Sequence, residues 1–255
     1  MEKNIILAGV GGQGILSIAY VIDNAALDAG FNFRQAEVHG MAQRGGAVQS
    51  NLRYSDGELH SDIIPQGLCD LIVAVEPLEV MRYWHYLRPD GWVVTSVTPY
   101  VNIPDYPEME GLLAELSTLP NMVMVDTGRL AKAAGNLRSQ NMVIVGAASN
   151  RLNFTEDQLL KHVDGLFARK GEKIVAVNRR AFSLGRQTGA FYRGLVDGGM
   201  SALNALKLST KLNPESLAVK HAPTWVEALD GDEAKLTAVL EHDGEVNADA
   251  ASAFG

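Results

Sequence analysis

Near the start of the chain a short apolar run, Asn4–Ala8, breaks into Gly9-Val10-Gly11-Gly12-Gln13-Gly14 and then into a helix-period segment, Ile15–Ala29, closed by Gly30. Strand, glycine turn and helix in that order open a βαβ unit, which commits the chain to a sheet covered by crossover helices. The alternation continues downstream. Phe31–Val38 reads as a second strand, and Ala47–Tyr54 alternates apolar and polar residues as a half-exposed strand should. Ser55-Asp56-Gly57-Glu58 carries a hairpin signal, with Leu59–Ile64 able to return antiparallel. Asp70–Val75 is an apolar run of the kind buried on both faces of a parallel sheet.

Pro77 opens a helix to about Leu87, Pro89-Asp90-Gly91 turns the chain, and Trp92–Ser96 is another strand. Tyr100–Pro107 is irregular, and Asn121–Val125 is a strand ending at Asp126. Gly128–Ala134 and Asn141–Leu152 are helical, and Thr155 with Gln158 fits a capping box opening a helix to about Ala168. Lys173–Phe182 is ambiguous between strand and helix, and Phe191–Leu212 reads as one helix. Leu217–Gly255 is polar, acidic and Ala-rich, an extension expected to hold loosely packed helices and a frayed last ten residues. The expected fold is therefore α/β: a Rossmann-like three-layer sandwich with a mixed, mostly parallel sheet, plus a helical C-terminal extension. The expected division is 1–186 for the α/β domain and 187–255 for the extension.

Charge and cysteine count narrow the chemistry. Lys plus Arg number 22 against 30 Asp plus Glu, a net charge of -8, so a general nucleic-acid binder is disfavoured. No apolar run approaches the roughly 18 residues that span a bilayer. The N-terminal apolar stretch is short and runs straight into glycines, so no membrane association is expected and the cytoplasm is the expected location. The one cysteine, Cys69, rules out an internal disulfide and falls short of the four or so thiolates that a four-iron cluster needs. It lies in an apolar run and reads as a buried, inert thiol.

The first glycine loop satisfies G-x-G-x-x-G in its proper context, and Glu37, 23 residues beyond Gly14, could hold a ribose hydroxyl of a dinucleotide. The competing reading, which we favour, is a tight strand–helix turn packed closely against a neighbouring chain or loop. A second glycine-rich loop competes for the same crevice, and no acid–base pair stands at a dehydrogenase position. That second loop, Glu37-Val38-His39-Gly40-Met41-Ala42-Gln43-Arg44-Gly45-Gly46, gathers a carboxylate, an imidazole, an amide and a guanidinium at the carboxyl edge of a strand. Arg44 beside Gly45 is shaped to grip a phosphate or carboxylate, and the cluster either meets a ligand or partner chain or only builds the turn. Glu76, between a strand and Pro77, either caps the following helix or binds a ligand hydroxyl. The remaining histidines, His60, His85, His162, His221 and His242, show no metal-ligand spacing, and neither a metal site nor a proton-transfer residue is expected. No thiamine diphosphate motif is present.

GVGGQG, EVHGMAQRGGAVQSNLRY, HSDII, LIVAVEPLEVMRY, GNLRSQNMVIVGAASNRL and NRRAFSLGR follow one another in this order. Over about residues 3–186 the chain thereby resembles the beta subunits of indolepyruvate:ferredoxin oxidoreductases, in the pyruvate/ketoisovalerate oxidoreductase gamma-domain family. HGMAQRGG is the most specific of these motifs. The resemblance implies a hetero-oligomer that decarboxylates 2-oxo acids such as indolepyruvate or other arylpyruvates, with coenzyme A as co-substrate and ferredoxin taking the electrons. It implies that thiamine diphosphate and the 4Fe-4S clusters lie on a larger alpha subunit, with no cofactor on this chain and no activity alone. Carried over position by position, Gly9, Gly11, Gly12 and Gly14 match the first loop, and His39, Gln43, Arg44, Gly45 and Gly46 match the second. Both would lie at coenzyme A or at the subunit junction. A stand-alone NAD-linked dehydrogenase and a non-catalytic recruiting module remain the alternatives. Tyr83, Trp84, Tyr86 and Trp92 are candidates for an apolar interface, though core packing would explain them equally well.

Overall fold

The computed structural model describes residues 1–39 and 45–255, with His39 described by its main chain alone. Six strands form one sheet: β1 (Glu2–Val10), β2 (Asn32–His39), β3 (Ala47–Ser55), β4 (Cys69–Ala74), β5 (Leu87–Ser96) and β6 (Met122–Val125), in the spatial order β2-β3-β1-β4-β5-β6. β1, β4, β5 and β6 run parallel, and β3 runs antiparallel to both β1 and β2. Asn4–Val10 is buried without interruption because helices cover both faces of the sheet at its centre.

The mixed sheet expected from the sequence is present, but the reversal lies elsewhere. β2 and β3 pair with each other through the segment 40–46, whereas Leu59–Ile64 forms no strand. Arginines on the paired strands tie that stretch down instead. Arg34 Nε donates to Leu59 O at 2.6 Å and Arg53 Nη1 to Ser61 O at 2.8 Å. Pro89-Asp90-Gly91 is likewise a bulge inside β5, where the register against β4 jumps from Cys69–Leu87 to Leu71–Trp92.

Helix α1 (Ile15–Asp28) leads from β1 towards β2, and α2 (Pro77–Tyr83) leads from β4 towards β5, in opposite directions along the sheet. Right-handed crossovers then leave the two helices on opposite faces. α2 starts with Pro77 at its favoured first position and gives way to a 3₁₀ turn at Trp84–Tyr86. It packs with α3 (Met109–Ser117), a helix absent from the sequence expectation. Then follow α4 (Thr127–Ala134), capped by Asp126, α5 (Gln140–Ser149) and α6 (Glu156–Phe167), with Thr155 and Gln158 in the expected capping box. Every residue from Asn141 to Ser149 is buried, because α5 lies between the sheet and the long helix α7 (Glu172–Asp197). A helix enclosed all round needs no polar stripe.

α7 settles the ambiguous stretch 173–182 as helix and runs unbroken past residue 186. Its buried positions, among them Asn178, Ala181, Phe182, Gly185, Thr188, Gly189, Tyr192 and Leu195, repeat at helical spacing. The expected single helix over 191–212 is two: α7 ends at Gly198-Gly199, and α8 (Ala202–Lys211) begins behind the cap Ser201. α9 (Ala222–Leu229) and α10 (Glu233–Glu241) complete the C-terminal part.

The C-terminal part is helical, as expected, but it is not loose. Trp225 is fully buried and donates through Nε1 to Ala248 O at 2.7 Å, while Phe254 stacks on its ring at 5.8 Å. Leu212 bridges to Val246, and Arg129 of α4 donates to the carbonyls of Ser209 and Leu212. Ala251 is buried and sits in a final helical turn, so the last ten residues pack rather than fray.

Candidate functional site

β1 and β4 end side by side at the point where their helices depart in opposite directions, which is where an open α/β sheet parts to receive a ligand. The chain leaving β1 turns into α1 through Gly14, whose φ of 82° lies in the left-handed region and gives the helix no side-chain cap. Gly9 is required by packing, since a Cβ there would lie 2.8 Å from side-chain atoms of both Ile15 and Val75. Gln13 folds back on its own loop and accepts from Val10 N at 2.7 Å through Oε1. The amide in this motif is therefore an internal brace.

The second glycine loop joins the first through main-chain bonds. Gly11 N donates to Gly46 O at 2.8 Å and Gly45 N to Gly11 O at 3.4 Å. Asn102, from the loop after β5, donates to Gly45 O at 2.7 Å. Gly9, Gly11, Gly12, Gly14, Gly45 and Gly46 thus gather at one edge of the sheet, as the two motifs suggested. His39 ends β2 opposite Val48, while Gln43 and Arg44 lie outside the described residues.

Beside the loop is a cleft of about 400 Å³ lined by Gly12, Gln13, Gly14, Val75, Tyr100, Arg138, Gln140 and Asn141. Tyr100, Arg138, Gln140 and Asn141 were not singled out by sequence reasoning. The last three fall in the run GNLRSQN that belongs to the resemblance, where they read only as the approach to a helix. Asn136 caps the 3₁₀ turn Leu137–Ser139, which feeds directly into α5. Gln140 is fixed by bonds to Thr127 Oγ1 and Leu137 O.

Glu76 resolves the choice left open by the sequence in favour of capping. Its Oε2 accepts from Glu79 N at 3.0 Å, and its Oε1 accepts from the Tyr106 hydroxyl and from Tyr100 N. Only 1% of it is exposed. It anchors the segment that carries Tyr100 and Asn102. Neighbouring Glu79 pairs with Arg82, and burial pushes its carboxyl above the ordinary range.

Glu37 does not stand where a dinucleotide ribose would need it. β3 intervenes between β1 and β2, so Glu37 lies two strand spacings of about 4.8 Å from β1 instead of one. Gln35 Nε2 donates to it at 2.8 Å. Across from it, Asp23 on α1 is buried, and burial with the nearby Glu37 charge raises its pKa to about 7. Cys69, the first residue of β4, is fully buried, and burial pushes its thiol up to about 12, which agrees with an inert thiol. Of the interface candidates, Trp84 is 52% exposed, whereas Trp92 is covered by the guanidinium of Arg151, 3.3 Å from the ring centroid.

The switch-point cleft and the order of strands around it define a doubly wound α/β protein. The chain belongs to the pyruvate ferredoxin/flavodoxin oxidoreductase family, whose pattern it matches over residues 4–188. It is similar to indolepyruvate oxidoreductase subunit IorB from Thermococcus kodakarensis, at 35% identity over 72% of this chain and 94% of that one. The same subunit from Pyrococcus horikoshii is 36% identical over the same shares. The fold is shared with pyruvate oxidoreductase subunit PORC of Thermotoga maritima, with a TM-score of 0.58 and 18% identity over 73% of this chain and 96% of that one. It is also found in the 2-oxoglutarate:ferredoxin oxidoreductase of Magnetococcus marinus, described with 2-oxoglutarate, coenzyme A and succinyl-CoA bound. There the TM-score is 0.59 at 22% identity, over 78% of this chain and 37% of that longer one. The resemblance read from the sequence motifs is thereby borne out.

Proposed function

We propose that the chain is the beta-type subunit of a cytoplasmic 2-oxoacid:ferredoxin oxidoreductase acting on indolepyruvate and related aryl 2-oxo acids. The reaction releases CO2, leaves the acyl group on coenzyme A and passes the electrons to ferredoxin. The similarity to indolepyruvate oxidoreductase subunits over nearly their whole length carries this reading. Thiamine diphosphate and the 4Fe-4S clusters reside on a partner alpha subunit. A single buried cysteine cannot replace the thiolates of a cluster, which agrees with that division of labour. Among the described residues no helix is long and apolar enough to cross a membrane.

The chain's own contribution is the glycine-lined edge. Gly9, Gly11, Gly12, Gly14, His39, Gln43, Arg44, Gly45 and Gly46 face coenzyme A or the junction with the partner, and Arg44 meets an anionic group there. Reconstitution with the cluster-bearing partner tests the reading. The expected result is a chain that is colourless and inert alone and a pair that reduces ferredoxin with an arylpyruvate and coenzyme A. Arg44→Ala raises the coenzyme A requirement or weakens assembly. Nicotinamide binding or hydride transfer by the chain alone would overturn the reading in favour of a dehydrogenase.

A further inference from the structure

A second pocket, of about 250 Å³, opens where β5 and β6 begin, away from the glycine loops at the carboxyl ends of the parallel strands. Val123, Ala147 and Val219 give it an apolar wall, and Arg151, Arg193 and Asp197 are its charged residues. Trp92, the first residue of β5 beyond its bulge, lies behind the two arginines. The Arg151 Cζ is 3.3 Å from the centroid of the indole and the Arg193 Cζ is 4.8 Å from it. Stacking holds a guanidinium by its face, so its N–H edge stays available for bonding.

The charges in this pocket do not cancel. Asp197 pairs with Arg193 at 2.5 Å, and Arg193 Nη1 donates to Pro120 O at 3.5 Å. Arg151 makes no ion pair, and its buried Nε has no partner among the described residues. Arg193 Nε is buried and unpartnered in the same way. Burial, and then the neighbouring Arg193 charge, hold the Arg151 guanidinium below its ordinary range, while Asp197 acts the other way. A half-buried cation beside a second one is costly until an anion pairs with it. The lining sets two guanidiniums against one carboxylate and so leaves a single positive charge in excess.

We propose that this pocket, in which Arg151 and Arg193 stand over Trp92 beside an apolar wall, binds the carboxylate of a small organic acid. A guanidinium fork takes both oxygens of a carboxylate in parallel, and the unpartnered Nε of Arg151 is one prong of that fork. One negative charge cancels the excess in the lining, whereas a phosphate dianion overshoots it. Val123, Ala147 and Val219 cover the hydrocarbon part of the acid, and the volume of about 250 Å³ suits a body the size of one ring. The site is separate from the glycine-lined edge and does not depend on the function proposed above.

The test is titration of the full chain at low salt with phenylacetate, acetate and inorganic phosphate, followed by calorimetry and by the arginine Nε–H resonances in NMR. The expected result is one saturable site for phenylacetate, about tenfold weaker binding of acetate, which lacks the apolar body, and no saturable binding of phosphate. Phenylacetate should also move the Nε–H signals of Arg151 and Arg193, each assigned by its loss in Arg151→Lys or Arg193→Lys. Arg151→Gln should lower the affinity for phenylacetate roughly tenfold or more, with a matching melting curve to show that the fold is kept. If that variant melts early, the Nε–H signals of the parent protein decide. Phenylacetate that fails to saturate, phosphate that binds as tightly as phenylacetate, or Nε–H signals of both arginines that stay in place at saturation would overturn the proposal. Unchanged affinity in a folded Arg151→Gln variant would do the same.

Discussion

Gly146 of α5 and Gly185 of α7 meet main chain against main chain. A Cβ at Gly146 would lie 1.9 Å from Phe182 O, and one at Gly185 would lie 1.9 Å from Val143 O. The two helices approach more closely than any side chain permits, and this contact seats the enclosed helix α5, whose first turn carries Asn141, against the sheet. Gly146→Ala or Gly185→Ala forces the helices apart and should cost about 3 kcal/mol or more. Chemical denaturation measures it, with the midpoint falling sharply in each variant. A midpoint within error of the parent would show that the helices can slide past one another.

Asp23 gives the protein a pH dependence of definite sign. Its pKa in the folded chain is raised to about 7, so the folded state holds a proton that the unfolded state releases near 3.8. The stabilising contribution is complete below about pH 4 and is lost as pH rises through 7. Asp23→Asn should flatten the decline in melting temperature between about pH 4 and pH 7, the interval bounded by the unfolded and folded values. A slope that persists unchanged in the variant places its origin in another group.

Glu76 holds the segment that reaches the second glycine loop. Glu76→Gln keeps the shape but loses the charge that receives the Tyr106 hydroxyl, Tyr100 N and Glu79 N. Hydrogen exchange should quicken at residues 98–106 and at Gly45, whose carbonyl Asn102 holds. Global stability should fall by about 1–3 kcal/mol. Exchange confined to α2 would limit Glu76 to capping.

Trp225 pins the C-terminal part. Replacing it with Ala removes the bond to Ala248 and the stack with Phe254, and core deletions of this size cost about 3–5 kcal/mol. Limited proteolysis should then cut within 243–255, a region expected to stay intact in the parent. Equal resistance of the two proteins would mean that the Leu212–Val246 bridge suffices.

How far the sequence could be read depended on the range of the interaction. Pro77 and the Thr155–Gln158 box act within a single turn and mark helix starts correctly, whereas Asp126, read only as a strand end, also caps α4. The apolar strands were equally visible. Asp56-Gly57 misled because a turn dipeptide does not say which strands it serves, and the partner of β3 is set by β1, some 45 residues away in the chain. The stretch 173–182 was ambiguous for a similar reason: α7 carries Gly185, Gly189 and Gly194 where neighbouring elements press against each one, a closeness that only the folded chain shows. Of the site, the glycines were legible because main-chain geometry demands them. Arg138 and Asn141 were not, since folding brings them to Gly14 from more than 120 residues away, and their local context is only that of an ordinary helix start.

Cys69 has a practical consequence. A sole thiol buried at the start of β4 and barely ionised at neutral pH will neither cross-link copies of the chain in air nor take up maleimide. A fluorophore or spin label can therefore be attached at a newly introduced surface cysteine without first removing the native one, so distances across an assembled complex can be measured on otherwise wild-type protein.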